Sequence, residues 1–163
     1  MKIVLVSISF LVLISYVIYI LIRVGIRNLP SLSDSFYTTG KGYLFQLALF
    51  FAAAPLIPVL LDITPEPFKF LAFAATAPIL FVAVAPRFKD MELEHRVHCG
   101  AAIVSAIFSI IWSVIMLQWL FLIIFPAIVI YFFMLYKKFG QLTFWGEMIC
   151  FTLVYSTLLY IFL

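Results

Sequence analysis

Charged side chains are scarce in this chain: they make up 10% of its 163 residues, whereas 67% of the residues are hydrophobic. A soluble domain usually contains about 25% charged and roughly 45–50% apolar residues. A chain of this length cannot bury so much apolar surface in a soluble core, but a lipid bilayer can solvate it. The composition therefore excludes an ordinary soluble domain and predicts an all-α, polytopic membrane helical bundle that forms one domain over residues 1–163.

Several functional motifs are also missing. No basic stripe with interleaved aromatic residues lies outside the apolar runs, so a nucleic-acid partner is not expected. The segment around Lys41 lacks the spacing of a phosphate-binding loop, and no serine has the G-x-S-x-G setting of a hydrolase. The two cysteines, Cys99 and Cys150, are predicted near cytoplasmic helix ends, where a reducing compartment disfavours a disulfide.

Long apolar runs are abundant, and a membrane-spanning helix needs about 20 such residues. The first run is longer than the ~7–15-residue core of a signal peptide and lacks a cleavage site, so we interpret it as a span. The uncharged stretch 99–136 would measure about 57 Å as one helix, which favours two spans with a turn near Gln118 and Trp119. The predicted spans are about residues 3–22, 43–61, 70–86, 97–117, 119–136 and 144–163.

The basic residues are distributed unevenly between the two faces that six spans define. Lys2 and Lys69 would lie on the face that carries the termini. The other eight would lie on the opposite face: Arg23, Arg27, Lys41, Arg87, Lys89, Arg96, Lys137 and Lys138. Because basic loops stay in the cytoplasm, this asymmetry predicts both termini on the outer side of a multi-pass protein of the cell (inner) membrane.

The segment before the fourth span contains both histidines of the chain. If the helix starts there, His95 and His98 share one face and Glu94, at i, i+4 to His98, could orient its imidazole. Two imidazoles could bind zinc if a carboxylate such as Asp34 or Glu147 supplied a further ligand. The alternative is an interfacial histidine pair that anchors the end of the helix. The same face continues through Ser105, Ser109 and Ser113 (with Ala102 before them), which predicts a polar seam against other helices.

Glu147 is the ionisable residue closest to the interior of a span. Burial of such a group in lipid is costly, so it is a candidate functional residue. It could instead reach headgroup water, pair with Lys137 or Lys138, or lie favourably at a helix N-terminus. With Asp34, it is our candidate for a catalytic carboxylate.

The order of short motifs carries a resemblance. Ser31-x-Ser33-Asp34 follows the first span, Phe70-Leu71-Ala72 opens the third, Ala85-Pro86 closes it, and His95-x-x-His98 precedes the fourth. This order resembles small uncharacterised bacterial six-helix membrane proteins. It is similar, more distantly, to the superfamily of alkaline ceramidases and progestin/adipoQ receptors. The latter resemblance implies a zinc ion held by histidines beside Ser and Asp, and hydrolysis of lipid amides. This chain differs in having six predicted spans instead of seven and only two histidines.

Three classes of function follow from these patterns. Short loops and the lack of a soluble domain favour a non-enzymatic membrane subunit or interaction partner, whose contacts are the lipid bilayer, other membrane proteins or further copies of itself. A metal-assisted hydrolase of lipid ester or amide bonds at the cytoplasmic mouth is the alternative, and it requires Asp34, His98 and Glu147 to converge. A small transporter or channel is the third class, although no ionisable group lies near the middle of spans one to five.

Overall fold

The polypeptide is helical throughout, as its composition predicts. The computed structural model describes all 163 residues and contains no strand. Short 3-10 turns connect several of the helices. The eight α-helices are α1 (Lys2–Arg23), α2 (Ser35–Thr38), α3 (Gly42–Ala53), α4 (Leu56–Ile63), α5 (Lys69–Val84), α6 (Glu92–Leu117), α7 (Phe121–Phe139) and α8 (Leu142–Phe162).

Five helical stretches are long and apolar enough to cross a membrane. They are Lys2–Arg23, Gly42–Ile63, Glu66–Val84, Glu92–Phe139 and Leu142–Phe162. The fourth stretch has 48 residues and contains both α6 and α7. A 3-10 turn over Gln118–Leu120 separates these helices at the position predicted from the sequence, and Gln118 has a positive φ of 51° there. The number of six crossings stays a prediction.

Proline determines where the second stretch is interrupted. Pro55 lies between α3 and α4. It has no backbone N–H to donate, and its ring clashes with the carbonyl one turn earlier. Pro78 and Pro126 lie inside α5 and α7 without ending them. Neighbouring helices in a bundle can satisfy the carbonyls that such prolines leave free.

Polar contacts define the two ends of the bundle. At one end, which we call the Lys2 end, Lys2 forms an ion pair with Asp62, and the Trp112 indole N–H donates to Thr64 Oγ1 at 2.9 Å. At the opposite end, which we call the Ser33 end, the Phe144 N–H donates to the Pro30 carbonyl at 3.1 Å. These contacts place the start of α1, the end of α4 and the last turns of α6 together at the Lys2 end.

The return of α7 to the Ser33 end follows from a second contact there. The Gln141 side-chain amide, just after α7, donates to the Arg27 carbonyl, just after α1, at 2.5 Å. α6 begins at this same end, because the His98 ring contacts Ser33. α6 therefore starts and α7 finishes at the same end of the bundle, with the turn at Gln118–Leu120 between them.

The predicted serine seam faces the protein interior. Ser105, Ser109 and Ser113 are all buried. The Ser105 hydroxyl donates to the Ala75 carbonyl of α5 at 2.5 Å, and the Ser113 and Thr157 hydroxyl oxygens, the latter on α8, are hydrogen-bonded over 3.2 Å. Small residues let helix backbones approach closely, and their hydroxyls then bond across the interface. Ala102 differs from the prediction, because it is exposed.

Candidate functional site

The connection after α1 folds into the bundle instead of remaining at its surface. Its five residues from Ser31 to Ser35, which we call the serine loop, are all buried. Buried polar groups are normally paired, so a loop with three serines and an aspartate needs partners from other helices. The serine loop is therefore the place where distant parts of the chain should converge.

Part of the pairing is internal to the serine loop. The Ser31 hydroxyl donates to Asp34 Oδ2 at 2.9 Å, and the Asp34 N–H donates to Ser31 Oγ at 3.1 Å. The Ser35 hydroxyl donates to the Leu32 carbonyl at 2.5 Å, and the Tyr16 hydroxyl of α1 lies 2.5 Å from Ser35 Oγ. The other oxygen of Asp34 forms an ion pair with Lys89. These bonds hold the loop in one conformation against α1.

Glu147 approaches the serine loop from α8. Its Oε2 accepts a hydrogen bond from the Leu32 N–H at 2.5 Å. Neither Lys137 nor Lys138 pairs with it, and each of these ammonium groups lies over a phenyl ring instead. The alternative in which a lysine pairs with Glu147 is therefore wrong, among those that the sequence left open. Glu147 instead accepts from the Leu32 N–H, a backbone donor of the buried loop that needs an acceptor.

His98 approaches the same loop from α6, and both of its ring nitrogens are engaged. Nδ1 lies 2.9 Å from the Ala85 carbonyl oxygen, and Nε2 lies 2.9 Å from Ser33 Oγ. A carbonyl oxygen can only accept, so the neutral ring carries its proton on Nδ1. Nε2 is then an acceptor, and the Ser33 hydroxyl donates to it.

Two aromatic rings fix the plane of the His98 imidazole. The Phe88 ring is stacked on it with centroids 4.4 Å apart and an interplanar angle of 21°, and the Phe45 ring lies 6.4 Å away at 27°. Phe45 and His98 are themselves buried. The ring can therefore rotate only if this packing is lost.

The connection between α5 and α6 supplies Phe88 and is itself held against the helix that follows the serine loop. The Lys89 N–H donates to the Tyr37 hydroxyl of α2 at 2.9 Å. Burial raises the pKa of the Tyr37 phenol above its ordinary value. Because Lys89 also pairs with Asp34, the loop that carries Phe88 is tied to the serine loop at two points.

The predicted carboxylate and histidine residues converge, but not as a zinc site. Asp34 belongs to the serine loop, His98 bonds to Ser33, and Glu147 bonds to Leu32, so three successive loop residues bring them together. No group of three His, Cys, Asp or Glu side chains in the chain is arranged to hold a metal ion. His98 has no free ring nitrogen to offer. These residues therefore do not fit a zinc ion.

His95 and Glu94 lie outside this cluster. His95 is exposed, and its Nδ1 lies 3.1 Å from the Phe88 carbonyl. The Glu94 carboxylate accepts from the Arg87 N–H at 2.8 Å and pairs with the Arg87 guanidinium. The expectation that Glu94 orients His98 is therefore wrong. The segment before α6 folds back over the helix start, which offers Arg87 to Glu94 and the Ala85 carbonyl to His98.

A cavity of about 430 Å³ extends from the serine loop into the bundle. Ser33 and Glu147 line it at the loop, and 15 of its 22 lining residues are hydrophobic. The polar lining residues of the interior are small, and two of them, Ser105 and Thr76, donate to backbone carbonyls of α5. The interior of the cavity is therefore largely apolar, and the one carboxylate in its lining, Glu147, lies at the Ser33 end.

One side of the cavity, formed by two helices, is lined by residues that are exposed at the surface. Four of its lining residues are exposed: Ala102 and Ile103 on α6, and Thr143 and Gly146 on α8. All four lie in the parts of these helices nearest the Ser33 end. We call this side of the cavity the lateral mouth. A Cβ placed on Gly146 would meet no atom within 4 Å, so the mouth has room at this point.

The pairing of Ser33 with His98 is the feature of this site that sequence patterns do not reveal, although the resemblance described above includes Ser33. Its partner His98 is 65 positions away in the chain, and no local motif links the two. Serines in such a loop commonly form turns or cap a helix, and neither role indicates a histidine partner. Besides that resemblance, the signal in the sequence is the unusual density of hydroxyl groups in a loop between two apolar spans.

Comparisons with known proteins identify no relative. The chain matches no protein-family model, no curated protein and no solved structure. The resemblance described above therefore stays a prediction.

Proposed function

We propose that this protein binds the acyl chain of a membrane amphiphile in its cavity, with the polar end of the amphiphile at Glu147 and the serine loop. The observation that carries the proposal is the lateral mouth, which connects an apolar cavity to the surface between two helices that are apolar enough to cross a membrane. A molecule dissolved in the bilayer could enter through such an opening without passing through water.

The dimensions of the cavity suit this class of ligand. Its volume lies within the ~300–1,000 Å³ typical of small-molecule sites. Along α8, its lining extends from Thr143 to Tyr155, which is about 18 Å at ~1.5 Å per residue. An elongated apolar cavity parallel to a membrane helix is also parallel to the lipid chains. This binding role needs no catalysis, so it is compatible with a non-enzymatic function. Contacts with other membrane proteins or with further copies of the chain stay a prediction.

Narrowing the lateral mouth should prevent binding. In membranes containing a palmitic acid with a mid-chain diazirine, irradiation should cross-link the wild-type protein at residues of the cavity. We expect Gly146→Leu to reduce this cross-linking about tenfold, equivalent to ~1.4 kcal/mol of binding free energy. A Cβ at this position would meet no atom within 4 Å, so the mouth can accommodate the substitution. Peptide mapping by mass spectrometry measures the yield at each position.

Gly100→Leu is the matched control for this experiment. Gly100 is also a helical glycine whose added Cβ would meet no atom within 4 Å, but it does not line the cavity. Its cross-linking yield should equal that of the wild type. Equal yields at the cavity residues in the wild type and in Gly146→Leu would contradict binding through the lateral mouth.

We further propose that the chain crosses the cell (inner) membrane six times, with both termini outside and the Ser33 end in the cytoplasm. The return of α7 to the Ser33 end supports six crossings. Eight of the ten basic residues lie at helix ends or in connections at or near that end, which supports the orientation. The candidate site would then be at the cytoplasmic surface.

Reporter fusions test the orientation. A fusion after Pro65 should report the outer side, because Pro65 follows the second proposed span at the Lys2 end. A fusion after Lys138 should report the cytoplasm, because Lys138 follows the fifth proposed span at the Ser33 end. Alkaline phosphatase and a fluorescent protein, which are active on opposite sides of the membrane, give the readout. A cytoplasmic signal from the Pro65 fusion would show that the orientation is wrong.

A further inference from the structure

We infer that Ser33 and His98 form a nucleophile and general base that cleave the acyl ester of an amphiphile held in the cavity. This activity rests on the proposed function in one respect, since the cavity must admit the ester. The pair joins a hydroxyl to an acceptor nitrogen over 2.9 Å, within the range over which a base removes the proton of a nucleophile.

The tautomer of His98 suits this role. Its Nδ1–H donates to the Ala85 carbonyl at 2.9 Å, which leaves the Nε2 lone pair directed at Ser33. In serine hydrolases, a third group bonded to Nδ1 holds the imidazole in the correct tautomer and orientation. Here a backbone carbonyl makes that bond, and the rings of Phe88 and Phe45 fix the plane of the imidazole.

The surroundings of Ser33 place it where an ester bond would lie. Ser33 lines the cavity beside Glu147, whereas the apolar lining continues away from it along α8. An acyl chain that lies along α8 would therefore have its carboxyl carbon near the Ser33 end. In addition, the Ser33 N–H donates to no other group of the chain, so it remains available to a carbonyl oxygen that gains negative charge.

The reaction balances with water as the only co-reactant. Ser33 Oγ attacks the ester carbonyl carbon as its proton passes to His98 Nε2. The carbon–oxygen bond to the alcohol then breaks, and the same proton is transferred to the departing alkoxide. Water next attacks the acyl-Ser33 ester, with His98 again accepting and returning a proton. The products are the free alcohol, the fatty acid and the regenerated Ser33 hydroxyl.

A fluorophosphonate with an alkyl chain and a fluorophore tests this inference on the full-length protein in native membranes, because such probes phosphonylate activated serines. We expect labelling of the wild type at Ser33, established by peptide mapping, and no labelling of Ser33→Ala. Ser7→Ala is the matched control: Ser7 is exposed on α1 and has no histidine beside it, so labelling should be unchanged.

Replacement of the base tests the second half of the pair. His98→Asn retains a side-chain donor for the Ala85 carbonyl but has no basic nitrogen. The labelling rate at Ser33 should fall by about 10²-fold or more, the usual contribution of a general base. His98→Gln, assayed in parallel, covers the case in which His98→Asn does not fold, and size-exclusion chromatography selects the folded fraction. A wild-type labelling rate in either folded variant would overturn the inference.

The failure of this activity and the failure of the binding proposal are distinguishable. If the diazirine palmitate cross-links the cavity but the fluorophosphonate does not label the wild type, the inference is wrong and the binding role stands. If Ser33 is labelled while the cavity is never cross-linked, the nucleophile is supported and the acyl-binding cavity is contradicted.

Discussion

Replacing Trp112 with alanine should lower the free energy of unfolding by about 3–5 kcal/mol, the usual cost of removing a buried tryptophan. Its side chain is fully buried, and it packs in a cluster at the Lys2 end with residues such as Leu60 and Leu158. Its indole N–H also donates to Thr64 Oγ1 at 2.9 Å. The alanine variant loses both the packing contacts and this bond. Thermal or denaturant unfolding in detergent measures the loss.

Two further variants separate the packing from the hydrogen bond. Trp112→Phe retains most of the apolar contacts and should cost less than Trp112→Ala. Trp119→Ala is the matched control, because Trp119 is 66% exposed in the turn between α6 and α7, and its loss should change stability little. An equal effect of Trp112→Ala and Trp119→Ala would show that the cluster at the Lys2 end is wrongly placed.

The second large effect is expected at the Ser33 end. Phe45→Ala should also cost about 3–5 kcal/mol, since Phe45 is fully buried in the main hydrophobic cluster. Its ring lies 6.5 Å from those of Tyr16 and Phe36 and 6.4 Å from His98. The alanine variant therefore removes one of the two rings that fix His98. We expect it to lose fluorophosphonate labelling as well as stability.

Phe51→Ala provides the comparison on the same helix. Phe51 is half exposed on α3, and replacing it should leave both the unfolding temperature and the labelling of Ser33 near their wild-type values. Phe45→Leu fills part of the volume but has no aromatic face for the imidazole, so it should retain more stability than Phe45→Ala while labelling remains reduced. Full labelling in Phe45→Ala would contradict the role of Phe45 in orienting His98.

These two residues also show that the bundle has two separate hydrophobic clusters. Trp112 belongs to the cluster at the Lys2 end, and Phe45 belongs to the cluster that surrounds the serine loop. The cavity touches both, because Leu49 of one cluster and Leu56 of the other line it. Effects of the two alanine substitutions should therefore be nearly additive unless a ligand in the cavity couples them.

Local patterns predicted several features correctly because each depends on neighbours in the chain. The turn at Gln118 follows from the length of an uncharged stretch that is too long for one helix. The burial of Ser105, Ser109 and Ser113 follows from the helical period, which places all three on one face. Glu94 shows the limit of this reasoning, since its spacing to His98 was favourable but Arg87 was the partner.

The sequence by itself determined that this protein is an all-helical chain with helices apolar enough for a membrane, because composition and run length act locally and additively. It also identified Asp34, His98 and Glu147 as candidate residues of a functional site. Only the tertiary structure decided that His98 pairs with Ser33, that Glu147 accepts from Leu32, and that a cavity lies between them. Those pairings join positions 65 and 115 residues apart, and they form because a buried loop must satisfy its polar groups with whichever donors and acceptors the packed helices present.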